Sequence, residues 1–384
     1  MITAYLDNAA TTRPCNQAIA AMVESMKEGY FNPSSLYAPA IKIEKQIDAV
    51  RAQILSQLCA KKDDKVLFTS GGTEANNLAL IGSLSAMRGS QHVITSATEH
   101  SSVRTTASLL EKQNHTVTFL SPDMFGAINY DELAKELRDN PPALVSLMQV
   151  NNETGAVLDV KKLSDMVKIL APSALIHVDG VQGFMKLPMD MRHVDMYSLS
   201  GHKIHAPKGI GALVLSKRAR ILARQFGGSQ QQGLRPGTEN VPGIIGLGAA
   251  IAHMANIPDL RESLLAKKIR LFEAVQKAIP EAKVMGPAID QGAPHIINIA
   301  LPDVRAEVML HALEGDHVYC STGSACSSKK QMVSPILVAM GINPNIAEGA
   351  LRFSFCSETT DTEIDYAAEC TAKQHAVLRR FQRR

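Results

Sequence analysis

Val194-Asp195-Met196-Tyr197-Ser198-Leu199-Ser200-Gly201-His202-Lys203 is the stretch that decides the fold. The run from Val194 to Leu199 reads as a buried strand, and Gly201 ends it. The chain then delivers one lysine, Lys203, into a turn. An amine held near apolar walls loses the water that stabilises its charge, so it becomes nucleophilic near neutral pH. Such an amine can form a Schiff base with an aldehyde. Upstream, Ala174-Leu175-Ile176-His177-Val178-Asp179 is a second strand with an acid at its tip. An acid that pairs with a pyridinium nitrogen, beside a lysine that carries an aldehyde, suits pyridoxal phosphate. Taken alone, the two residues fit a surface lysine and a strand-end acid equally well.

Outward from that pair, strands and helices alternate. Lys65 to Thr69 reads as a strand, and Ser70-Gly71-Gly72-Thr73 leads into a helix. Two glycines, a hydroxyl and a helix N-terminus expose backbone N–H groups to an anion such as phosphate. His92 to Thr95, Val117 to Leu120, Leu144 to Val150 and Gly211 to Ser216 are further strands. Ser101 to Gln113 and Val160 to Leu170 are helical. The pattern predicts an α/β fold, a mostly parallel sheet covered on both faces. Ligands bind at the C-terminal ends of such strands. His100, Asn152, Asp179 and Lys203 all fall just beyond strands, so they should converge on one crevice.

Two helices, Val241 to Ala255 and Leu260 to Ile279, should bridge to a second, smaller α/β region. Its elements are strands at Ile296 to Leu301, Val318 to Cys320 and Leu351 to Phe355, with helices near Glu307 to Leu313, Ser334 to Met340 and Thr362 to Phe381. Gly246 and Gly248 lack the preceding strand and third glycine of a dinucleotide fingerprint, so they read as close helix packing. His202 and His205 have no third ligand at a suitable spacing, so no metal site is expected.

At 384 residues the chain should hold two domains, or one with an appendage. Its 45% hydrophobic and 20% charged residues suit a globular enzyme. A net charge of +3 is too small to argue for nucleic acid or an anionic membrane. Arg379, Arg380, Arg383 and Arg384 read as a solvated helix end. No signal peptide or apolar run of membrane-spanning length is visible. Six cysteines without C-x-x-C spacing argue for a reducing compartment, so a cytoplasmic location is expected. Cys15, Cys59 and Cys370 lie in helical patterns and suit structural roles.

Cys320-Ser321-Thr322-Gly323-Ser324-Ala325-Cys326-Ser327-Ser328-Lys329-Lys330 has small residues and no apolar anchor, so it is expected to be an exposed loop. Lys329 and Lys330 would favour the Cys326 thiolate, the nucleophilic form. Arg352 opens a strand among apolar neighbours. A planar guanidinium binds a carboxylate bidentately, which would suit an amino-acid substrate. A salt bridge between domains is the alternative.

These residues resemble the NifS/IscS-type cysteine desulfurases of the class V aminotransferase family. The matching runs include Leu6-Asp7-Asn8-Ala9-Ala10-Thr11-Thr12, Asn32-Pro33-Ser34-Ser35, Ser70-Gly71-Gly72-Thr73-Glu74, Glu99-His100, Asn151-Asn152-Glu153, Ser200-Gly201-His202-Lys203, Arg235-Pro236-Gly237-Thr238, Gly323-Ser324-Ala325-Cys326 and Arg352-Phe353-Ser354. The resemblance implies the fold type I architecture of pyridoxal phosphate enzymes. A large cofactor domain would span 15–257, and 1–14 with 258–384 would form the small domain that carries the catalytic cysteine. It implies that Lys203 holds pyridoxal phosphate, Asp179 pairs with its ring nitrogen and His100 stacks on the ring. Gln182, with Asn152 close by, would bond the phenolate oxygen. Gly72, Thr73, Ser200 and His202 would bind the phosphate. Thr238 would reach the neighbouring subunit's phosphate in a homodimer. Arg352 would hold the carboxylate of L-cysteine, and Cys326 would take its sulfur as a persulfide and pass it to an acceptor protein. Iron–sulfur scaffolds, tRNA thiolation and thiamine synthesis are the expected destinations. A selenocysteine lyase, an aminotransferase or a non-catalytic scaffold are the alternatives. The chain departs from the family pattern at Tyr37, Ala40, Cys356, Lys329 and Lys330.

Overall fold

The computed structural model describes residues 2–323 and 333–381. Cys326, Lys329 and Lys330 therefore lie outside the described residues. The larger sheet has seven strands, in the order Lys65–Thr69, Gly211–Leu215, Met196–Ser200, Leu175–Asp179, Leu144–Met148, His92–Ser96, Thr116–Leu120. Gly211–Leu215 is antiparallel to both its neighbours, and the remaining pairs are parallel. Helices cover both faces, so the central strands are buried throughout. That explains their near-continuous apolar runs. His177 is one of the buried polar residues that interrupt them. Its ring nitrogens lie 2.8 Å from Ser146 Oγ and 2.9 Å from Ser198 Oγ on the flanking strands. Burial pushes its pKa down to about 3, so the ring is neutral.

The smaller sheet is antiparallel, in the order Ser321–Thr322, Ala350–Ser354, Ile296–Ala300, Lys283–Val284. A buried cluster joins it to the helices Leu260–Ala278, Ala306–Gly315 and Asp361–Leu378. Ala4 and Leu6 belong to this cluster although they open the chain. A fully buried leucine such as Leu6 contributes about 1.5–3 kcal/mol.

Gly246 and Gly248 do serve helix packing. A Cβ at Gly246 would meet Met22 Cγ at 2.7 Å, and one at Gly248 would meet Val50 Cγ2 at 2.6 Å. Some sequence expectations need correction. The strand from Leu144 ends at Met148: the chain bends at Gln149, and Asn151 gives its N–H to the Ala156 carbonyl in the turn that follows. The helix Tyr130–Asp139 lies outside the elements read from sequence, although Tyr130, Leu133, Ala134 and Leu137 are spaced as on one helix face. Cys59 falls just beyond a helix, exposed and at φ +48°.

Gly180 shows how tightly the sheet end is packed. A Cβ there would fall 1.8 Å from Tyr197 Cζ. Tyr197 is fully buried and donates to Gln149 Oε1 at 2.7 Å, so it has no room to retreat. Gly180→Ala should cost about 2–3 kcal/mol through overpacking. Urea unfolding of the two proteins side by side measures that loss.

Candidate active site

The C-terminal strand ends of the larger sheet meet the smaller sheet around a cavity of about 420 Å³. Its lining includes Gly72, Thr73, His100, Asn152, Asp179, Gln182, Ser200, His202, Lys203 and Arg352. Residues from six separate segments are thus brought together. Thr238 is not among them and stands exposed. A larger hollow of about 530 Å³ lies beside Glu44 and Gln231. Its Arg51 is already paired with Asp48 at 2.7 Å and Glu239 at 3.0 Å, which leaves it little to offer a ligand.

Lys203 follows the buried strand end on one short 3-10 turn, Gly201–Lys203. Its Nζ donates to the carbonyls of Ala9 at 2.5 Å and Ala10 at 2.7 Å. Gln182 Nε2 donates to the same Ala9 carbonyl at 2.8 Å. The Gln182 Oε1 and Asn152 Oδ1 atoms are buried without protein partners. Buried acceptors of that kind are costly unless a ligand or water supplies a donor.

Asp179 is buried, yet its carboxylate is well supplied with donors. Val181 N–H reaches Oδ1 at 3.0 Å and Asn76 Nδ2 reaches Oδ2 at 2.6 Å. Asn76 also donates to Ser102 Oγ at 2.9 Å. His100 caps the helix Ser101–Lys112, with Nδ1 accepting the Ser102 N–H at 3.1 Å. That assigns the proton of the neutral ring to Nε2. Burial lowers the His100 pKa; Asp179 raises it, and Lys203 and Arg104 lower it. His202 is pushed down to about 4 by burial and by Lys203, Lys208 and Lys186. Gly72 lets the helix N-terminus close on this cluster, because a Cβ there would meet Val181 Cγ2 at 2.5 Å.

Arg352 stands on the smaller sheet, buried, with Nη2 on Asp7 Oδ1 at 2.6 Å and Nη1 on the Asn152 carbonyl at 2.9 Å. Its Nε is buried and unpartnered, a donor left for a ligand. Glu153 lines the same cavity, and burial raises its pKa to about 7 against the opposing pull of Ser334, Arg352 and Arg104. Sequence reading missed Asp7, Asn76 and Glu153 as site residues. Asp7 and Glu153 lay inside quoted motifs, whereas nothing in the pattern distinguished Asn76 from a helix surface residue.

These residues fit a flat, phosphorylated pyridine aldehyde. They offer a helix N-terminus and Ser200 for phosphate, Asp179 for a ring nitrogen, the side-chain amides of Gln182 and Asn152 for a polar edge and an amine for the aldehyde. Among the described residues, no group of His, Cys, Asp and Glu could hold a metal ion. No single described helix is long and apolar enough to cross a membrane.

Comparison with known proteins agrees with this geometry. A family model described as aminotransferase class-V matches residues 4–367. A cysteine desulfurase of Nostoc sp. is 38% identical over 376 residues, which cover 96% of this chain and 92% of that protein. Among solved structures, a NifS-like protein superposes with a TM-score of 0.91 at 29% identity, covering 98% of this chain and all of that one. SspA in complex with cysteine superposes with a TM-score of 0.79 at 29% identity, covering 93% and 100%.

Asp7 occupies one edge of the Arg352 guanidinium, so an incoming carboxylate meets a nearby negative charge. Asp7→Asn keeps a hydrogen-bond acceptor there and removes that charge. The repulsion lifted is about 1 kcal/mol, and a simple amino acid should bind roughly fivefold tighter. The melting temperature should fall at the same time, because a buried cation loses its counter-charge. Ligand titration and thermal unfolding of the same samples check both shifts.

Proposed function

The chain belongs to the class V aminotransferase family, and on that premise we propose what its residues do. The protein is a pyridoxal phosphate-dependent cysteine desulfurase. It converts L-cysteine to L-alanine and delivers the sulfur for sulfur transfer. The observation that carries the reading is one cavity holding an amine, a buried acid and a buried arginine, in a chain 38% identical to a cysteine desulfurase.

Lys203 would hold the cofactor aldehyde, and Asp179 would keep a proton on its ring nitrogen. Gly72, Thr73, Ser200 and His202 would bind the phosphate, and His100 would lie against the ring. Gln182, with Asn152 close by, would meet its phenolate oxygen through a side-chain amide N–H. When bound, pyridoxal phosphate supplies a sink for the electron pair released at Cα. Arg352, through its free Nε edge, would orient the substrate carboxylate, and Lys203 Nζ would take the Cα proton. The Cys326 thiolate would attack the substrate sulfur. The Cβ–S bond then breaks, Cys326 keeps the sulfur as a persulfide, and a proton completes L-alanine. His100, neutral with its proton on Nε2, would be placed to move protons in the cavity.

Residues 15–257 would form the cofactor domain, and 1–14 with 258–384 the small one. Thr238, exposed on its own subunit, is proposed to complete the phosphate site of a second copy in a homodimer. A cytoplasmic location and an acceptor protein for the persulfide belong to the same reading. An iron–sulfur scaffold or a carrier for tRNA or thiamine thiolation fits the chemistry of that acceptor.

Purified protein with pyridoxal phosphate should form one alanine per sulfur transferred from L-cysteine. Cys326→Ser should bind the cofactor normally and transfer no sulfur. Borohydride reduction followed by peptide mapping should place the cofactor on Lys203. An adduct at another residue, or persistent sulfur transfer by Cys326→Ser, refutes the assignment.

A further inference from the structure

One buried acid of the cavity has no part in the chemistry above. Glu153 follows the strand Leu144–Met148, in a turn held by Asn151. Asn151 Oδ1 accepts the N–H groups of Glu153 and Thr154, both at 2.9 Å, and its Nδ2 donates to the Thr98 carbonyl at 3.0 Å. The backbone of Glu153 is therefore fixed to the larger sheet. Its side chain crosses to the other half of the molecule. Ser334 Oγ donates to Glu153 Oε2 at 2.5 Å. The same Ser334 oxygen accepts the N–H groups of Ile336 and Leu337, which cap the helix Pro335–Ala339. Its single proton is thereby directed at the carboxyl.

Gly323 meets the same atom from the other side. A Cβ on Gly323 would lie 2.4 Å from Glu153 Oε2 and 3.0 Å from Ser334 Cβ. The backbone of Gly323 lies outside the left-handed region, so its conformation does not demand glycine. The lack of space does. Gly323 immediately precedes residues 324–332, and Ser334 comes soon after them. One carboxyl thus touches the chain on both sides of the stretch that contains Cys326.

We propose that Glu153 is a positioning residue: it anchors Gly323 and Ser334 against the cavity wall and so fixes the two points from which the chain carrying Cys326 is suspended. The proposal rests on the desulfurase reading, because it assigns Glu153 to the sulfur-transfer step alone. The step it supports is the attack of the Cys326 thiolate on the substrate sulfur. Removal of the Cα proton by Lys203 does not need it. Misplacing a reacting group by about 1 Å costs on the order of a hundredfold in rate.

The test uses the pyridoxal phosphate-loaded enzyme and two assays: alanine formation from L-cysteine, and exchange of the Cα hydrogen of L-alanine with deuterium oxide. Glu153→Ala should lose about a hundredfold in alanine formation and keep its exchange rate within threefold. Glu153→Gln, whose amide oxygen can still accept the Ser334 hydroxyl, should recover alanine formation to within about threefold of wild type. Gly323→Ala should impair alanine formation strongly by itself and add little in the Glu153→Ala background. The anchor is refuted if Glu153→Ala forms alanine normally, if its exchange falls in parallel, or if Glu153→Gln is as impaired as Glu153→Ala. A wild-type enzyme that exchanges L-alanine yet forms none from L-cysteine overturns the desulfurase reading, and the anchor falls with it.

Discussion

The close approach of Gly72 to Val181 is the contact on which the site depends. A single methyl group at position 72 would lie 2.5 Å from the valine side chain. Its absence lets the N-terminus of the helix Gly72–Ser85 settle onto the turn that follows Asp179. The positive end of a helix is then beside a buried carboxylate, and both face the amine of Lys203 across one cavity. The same closure brings Asn76, one turn into that helix, within 2.6 Å of Asp179 Oδ2. The two Asp179 oxygens thus each accept a hydrogen bond from the protein, which fixes the orientation of the carboxyl group at the cavity wall.

The electrostatics of the cavity follow from how its other ionisable groups are buried. His202 and His177 are held neutral chiefly by desolvation, so neither adds a positive charge near Lys203. Glu99 is buried and its pKa is raised well above the usual range, chiefly by desolvation and further by Asp179. An extra negative charge beside Asp179 is thereby avoided. Lys203 in turn bonds to carbonyls from the start of the chain. The segment from Asp7 to Thr12 touches Arg352 through Asp7, Lys203 through Ala9 and Ala10, and His202 through Thr12. These few residues tie the smaller sheet to the catalytic strand ends.

The architecture was legible because it depends on residue types with strong local preferences. Apolar runs marked the central strands, and the Gly71-Gly72-Thr73 junction marked a helix N-terminus open to an anion. His100, Asn152, Asp179 and Lys203 could be placed at one edge because parallel strands share a direction. The remaining contacts were hidden for physical reasons. Asn76 matters only because two turns pack closely, a fact of tertiary geometry with no local signal. Asp7 lies 345 positions from Arg352, and their 2.6 Å bond needs the first residues to join the last sheet. Helix Tyr130–Asp139 differs from these: its apolar positions 130, 133, 134 and 137 follow a helical period, so it was readable from local pattern. Cys326, the residue most specific to the chemistry, lies outside the described residues and is assigned from sequence.

The two sheets divide the work according to what each step requires. Holding a flat ring and its phosphate needs fixed groups, and the strand ends of the larger sheet, backed by two buried apolar clusters, are proposed to supply them. Recognising a carboxylate and receiving a sulfur atom must be registered to each other, because both act on one small substrate. The smaller sheet meets that need by pairing Ser321 directly opposite Arg352 on adjacent antiparallel strands. The chain that leads to Cys326 therefore starts from the residue paired with Arg352, the group proposed to take the substrate carboxylate. A slip of one residue in that pairing would carry Ser321 and Thr322 past Arg352 and turn their side chains to the opposite face, so backbone register fixes how these two strands present their residues.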